Sequence, residues 1–106
     1  MMTREDRRIF DEFVARVKAK FSNVKIWAYG SRARGDAQWD SDFDLLIVLE
    51  RVNREADQWI REVAWEIGFE NNHVLTTIVL DRKQFEKGPM SESSLVENIL
   101  HEGIAT

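Results

Sequence analysis

The sequence predicts an α/β domain, with helices packed on a small mixed sheet of about three strands. Two observations carry that expectation. Apolar residues switch along the chain between helical spacing and the alternation or short continuous runs of strands. The link between the first two strand-like runs is roughly a dozen residues with room for one helical turn, which suits antiparallel or mixed pairing better than a full parallel crossover. At 106 residues, with no internal repeat, low-complexity tract or linker, the chain reads as one domain over 1–106.

In chain order, Thr3 caps a first helix near 4 to 21, with Asp6 three residues later in a capping-box-like position. Ile9, Phe10, Phe13, Val14, Val17 and Phe21 make its apolar face. From Val24 to Tyr29, Val24, Ile26 and Ala28 alternate with Lys25, Trp27 and Tyr29, and Gly30 closes this strand. A short turn or helix follows through Ser31 to Ala37. The run from Asp42 to Leu49 is too apolar and too short for a surface helix, so it predicts a largely buried strand.

Asn53 caps a second long helix, with Ala56, Trp59, Ile60, Val63, Ala64 and Ile67 turned inward and Gly68 placed to end it. Residues 73–80 are β-branched and predict a third strand. Asp81 caps a brief helical turn through Lys87, Gly88-Pro89 breaks the chain, and Ser91 to Glu102 form a last helix stopped at Gly103. The expected order is α-β-(α)-β-α-β-α-α.

Fifteen Lys+Arg against 19 Asp+Glu leave a net charge of -4, and the chain has no Cys. A disulfide scaffold, a Cys-containing zinc site and thiol catalysis are thereby excluded, and any metal must sit on oxygen or His. The acidic balance argues against a broad nucleic-acid binder, because that affinity accumulates from Lys and Arg. The longest strictly apolar run, Leu45 to Leu49, is far short of the roughly 20 residues of a membrane span. With a charged N-terminus as well, the expectation is a cytoplasmic protein without a membrane partner.

Chemistry concentrates between Tyr29 and Leu49, YGSRARGDAQWDSDFDLLIVL. Gly30 lets backbone approach a ligand closely, and Ser31 offers a hydroxyl and an N–H at the start of a helical turn, which suits phosphate oxygens. Asp42 and Asp44 stand two apart at the start of the next strand, so their side chains share a face with Cα atoms roughly 6.5 to 7 Å apart. Paired hard-oxygen ligands suit Mg²⁺ or Mn²⁺. Metals bridging a triphosphate and an incoming hydroxyl would stabilise both attacking and leaving oxygens, which is the logic of nucleotidyl transfer.

These residues resemble the DNA polymerase β-like nucleotidyltransferase superfamily, and within it the minimal nucleotidyltransferase domains of prokaryotes. Gly30-Ser31 matches the Gly-Ser after the family's first strand, and Asp42-Phe43-Asp44 matches its Asp-x-Asp on the next. The closing NILHEGIA is similar to the usual C-terminal helix, so the resemblance covers nearly the whole chain. It implies a nucleotidyltransferase fold, catalytic and metal-binding roles for Asp42 and Asp44, nucleotide binding by Gly30, Ser31 and Arg34, and Mg²⁺ or Mn²⁺ with an NTP, foremost ATP. The implied reaction moves NMP to a hydroxyl acceptor, AMP to a partner protein being one form. The implied partner is a HEPN-domain protein in a toxin–antitoxin pair, alongside the nucleotide; a homo-oligomer is left open. One position departs from the family: its third metal carboxylate lies inside the third strand, where this chain has Thr76 or Thr77, with Glu70 and Asp81 the nearest acids. That bears on turnover more than on nucleotide binding, so the alternative is a weakly active or inactive nucleotide-binding and protein-interaction module.

Several residues keep two readings. Asp42 alone also suits a turn cap, and Asp44 suits an ion pair with Arg32 or Arg34. Of these two arginines, one can reach phosphate while the other is solvated. Asp36 fits the end of the turn better than a metal site. Trp39 can stack on a base or pack against the sheet. His73 and His101 lack a carboxylate at ligand spacing and read as structural or surface residues. Trp65 and Phe69 widen the apolar face of the second long helix, giving either a generous core or a surface for self-association or a partner.

Overall fold

A computed structural model describes the backbone of residues 1–106 and every side chain except those of Met90 and Glu92. Helix α1, Arg4–Lys20, begins where the Thr3 hydroxyl accepts the Asp6 N–H at 3.1 Å. Acids in its first turn and lysines in its last complement the helix dipole. Strand β1, Lys25–Tyr29, runs into the one-turn helix α2, Gly30–Arg34, which Gly35 ends in the left-handed region. Strand β2 is Phe43–Leu49, and Asn53 caps α3, Arg54–Asn71, through a 2.7 Å bond from the Ala56 N–H. Strand β3, Leu75–Asp81, leads into α4, Arg82–Lys87, whose start is a reciprocal capping box between Asp81 and Gln84.

Two expectations are corrected here. Gly68 does not end α3; the helix continues to Asn71 and Asn72 takes the left-handed cap at φ 57°. The reason for glycine is space, since a Cβ at Gly68 would lie 2.4 Å from the His73 carbonyl oxygen where the chain folds back along the helix. The last predicted helix divides into a 3₁₀ turn, Pro89–Glu92, and α5, Ser94–Glu102, because the Ser93 hydroxyl caps a fresh start by accepting the Val96 N–H at 3.2 Å.

The sheet has four strands in the order β3-β2-β1-β4 rather than the three expected. The fourth, β4, is Ile104–Ala105, paired antiparallel with β1 and too short to show a period in sequence. β1 pairs antiparallel with β2, as the short link demands, while β2 and β3 are parallel and joined through α3. On one face Phe43, Leu45 and Ile47 pack under Ile9, Phe10 and Phe13 of α1 and Ile60, Val63 and Ile67 of α3. On the other, Leu46, Val48, Leu80 and Trp27 form a second cluster with Ile99, and Trp27 stacks on Phe85 of α4 at 5.3 Å. β2 is therefore covered on both faces, as its apolar run requires.

Trp65 and Phe69 lie outside both clusters, 68% and 72% exposed and stacked on each other at 5.3 Å, so they do not enlarge the core. They line an open cleft of about 520 Å³ between α3 and the lead-in of β3. Among the described residues no helix is long and apolar enough to cross a membrane.

Because the neighbour of Gly68 is backbone that cannot rotate away, Gly68→Ala is expected to lower stability by about 1–3 kcal/mol despite alanine's higher helix propensity. Denaturant melting checks this, and an unchanged midpoint would show that the lead-in to β3 yields instead.

Candidate functional site

The register places Tyr29 of β1, Asp44 of β2 and Thr76 of β3 in one row across the sheet. Asp44 shares its face with Leu46 and Val48, so it sits where the second cluster ends. The carboxylate is half-buried, and its Oδ1 accepts the Thr76 hydroxyl at 2.7 Å. Its Oδ2 faces Gly30: a Cβ there would come within 2.5 Å of that oxygen, and φ of +76° is itself a glycine conformation. Gly30 thus holds the strand end open beside the acid. Burial, then the Asp44 charge, push the Tyr29 phenol above its ordinary value near 10, so it remains a neutral hydroxyl.

Asp42 is the residue before β2 and is exposed. Phe43 after it is fully buried and donates its N–H to the Val74 carbonyl at 2.8 Å. Ser31, in the first turn of α2, is half-buried and its carbonyl accepts the N–H groups of Gly35 and Asp36 at 2.9 and 3.1 Å. Arg34 is exposed and paired with Asp36 at 3.2 Å. Trp39 is 84% exposed, not packed on the sheet.

The alternative reading of Asp44, an ion pair with Arg32 or Arg34, is not what forms. Arg32 is buried and pairs with Asp6 of α1, itself buried, at 3.4 Å. It also donates to the carbonyls of Trp39 and Ser41 and to His73 Nδ1. Arg32 is thereby removed from the residues open to a phosphate, and His73 has a defined neighbour.

A nucleotidyltransferase domain profile matches residues 10–105 of this sequence. The chain belongs to the nucleotidyltransferase domain family. A solved structure described as a proposed nucleotidyltransferase of Sulfolobus solfataricus is 22% identical with a TM-score of 0.53, covering 92% of this chain and 76% of that one. A second, a toxin–antitoxin crystal structure with AMP-PNP, is 15% identical with a TM-score of 0.57, covering 90% of this chain and 70% of that one. At these identities the likeness is one of fold. No curated protein matches the chain.

The donor set near Asp44 is hard oxygen, which would suit a hard divalent ion, and neither Asp42 nor Asp44 has a cation partner among the described residues. Among the described residues no group of three or more His, Cys, Asp and Glu gathers to hold a metal. The register explains why: the position beside Asp44 on β3 is Thr76, a hydroxyl.

The Arg32–Asp6–His73 cluster was missed in the sequence. Its available signal was Asp6, an acid at helical spacing with Ile9, Phe10 and Phe13, hence on the core-facing stripe where an acid requires a cation.

Tyr29 is the only tyrosine, so its tyrosinate absorbance titrates one group. The native midpoint is expected above 10, and Asp44→Asn should return it only part of the way, because burial is the larger cause. Since the folded value is the raised one, this group's stability contribution is complete below the unfolded value and falls as pH rises through the folded one. An Asp44→Asn midpoint equal to the native one would show that the phenol does not feel the carboxylate.

Proposed function

We propose that this domain transfers NMP from an NTP, foremost ATP, to a hydroxyl acceptor. The carrying observation is Asp44, held at the end of β2 with one oxygen on Thr76 and the other facing the side-chain-free Gly30. On this reading Gly30 and Ser31 receive the triphosphate, and Arg34, exposed beside them, turns from Asp36 to a phosphate oxygen. Asp42 and Asp44 hold Mg²⁺ or Mn²⁺, which when bound neutralises triphosphate charge and polarises the phosphoryl centre. The acceptor oxygen bonds to the α-phosphorus, the bridging bond to the β-phosphate breaks, pyrophosphate leaves and the hydroxyl proton passes to water. Trp39 supplies an exposed ring for base stacking.

Thr76 favours a second reading, a nucleotide-binding subunit with little turnover. A hydroxyl adds no negative charge to the site, so fewer carboxylates are available to hold cations there. Both readings accommodate a protein partner. The toxin–antitoxin neighbour and the exposed Trp65–Phe69 stack support an antitoxin role beside a HEPN-domain protein.

Calorimetric titration of ATP with and without Mg²⁺, on the native chain and on Asp44→Asn, tests the site without knowledge of the acceptor. Mg²⁺-dependent binding is expected in the native chain and should weaken about a hundredfold or more in the variant. A native chain that binds no NTP under either condition would sink the nucleotide reading.

A further inference from the structure

We propose that Arg32 is the positioning residue of this site, fixing the loop that delivers Asp42. Its guanidinium meets four acceptors. Nη1 reaches the Asp6 carboxylate oxygens at 3.4 Å, Nη2 reaches the Trp39 carbonyl at 3.1 Å, the Ser41 carbonyl at 3.0 Å and His73 Nδ1 at 3.2 Å, and Nε reaches Ser41 again at 3.3 Å. A guanidinium only donates, so in this contact His73 Nδ1 is the acceptor.

Neutralising the buried charge needs only Asp6. The other three acceptors lie on the two segments that flank the site: the loop before β2 and the lead-in to β3. With the Ser41 carbonyl held by Arg32 and Phe43 held by burial and by Val74, the backbone on both sides of Asp42 is fixed. The Asp42 carboxylate is left exposed and, among the described residues, without a partner. Inside the loop the Gln38 N–H meets Ser41 Oγ at 2.9 Å and the Ser41 N–H meets the Gln38 carbonyl at 3.1 Å, so capturing Ser41 orders the whole turn. Lysine has three N–H donors on one nitrogen, too few and too close together for four acceptor groups spread over α1, the loop and the lead-in to β3.

What Asp42 does rests on the function proposed above; the clamp does not. The test uses Arg32→Lys, which keeps the charge facing Asp6, and the pair Arg32→Met with Asp6→Leu, which removes both buried charges so that neither is left uncompensated. Two quantities are measured in each folded variant: amide hydrogen exchange across residues 36–42, and affinity for ATP with and without Mn²⁺. Exchange in the loop should quicken about tenfold or more. The gain in ATP affinity that Mn²⁺ brings should shrink by roughly 10–100-fold, with metal-free ATP binding unchanged. Native-like loop exchange in both variants would overturn the proposal, as would equal losses of metal-free and Mn²⁺-dependent binding, the mark of a general structural role. If the native chain shows no Mn²⁺-dependent binding, the functional reading falls, and loop exchange alone upholds or overturns the clamp.

Discussion

Strand β2 is hydrogen-bonded on both edges and covered on both faces, and the remainder of the molecule is arranged around that fact. A strand so enclosed has to be apolar throughout, as Leu45 to Leu49 are, and any charge on it must stand where the covering layers stop. Asp44 meets that condition at the strand's start, on the face whose cluster ends before it. The same enclosure makes the acid precise: its neighbours on either side, Tyr29 and Thr76, are set by backbone register rather than by mobile side chains.

From this follow the small residues around the acid. Thr76 is short enough to hydrogen-bond Asp44 across the strand spacing without displacing it. Gly30 leaves one carboxylate oxygen uncovered. Any side chain at Gly30 would press on that oxygen, since even a Cβ would come within 2.5 Å of it. The site is thus defined as much by missing side chains as by the ones present.

Charge is sorted by burial. The arginines on α2 have separate fates: Arg32 is drawn inward to Asp6, and Arg34 stays outside on Asp36. A buried ion pair gives little net stability against an apolar equivalent, and the gain here is in geometry, because one rigid fork ties α1, α2, the loop and the approach to β3 together. The aromatic stack of Trp65 and Phe69 lies outside both apolar clusters, exposed on the cleft between α3 and β3 that Thr76 also lines.

The sequence by itself determined the element order as far as α4, the caps at Thr3, Asn53 and Asp81, the burial of β2 and the pairing of Gly30-Ser31 with an Asp-x-Asp start, because periodicity, capping and turn chemistry act over a few residues. It could not assign Arg32 to Asp6, separated from it by 26 positions, nor foresee that Gly68 serves a close backbone approach rather than a helix end. It left Trp65 and Phe69 between core and surface, since helical spacing gives the angle of a side chain but not which angles the sheet covers. Only tertiary structure decided these, and which threonine stands beside Asp44, because each depends on the register and spacing between elements distant in the chain, and those are set by packing.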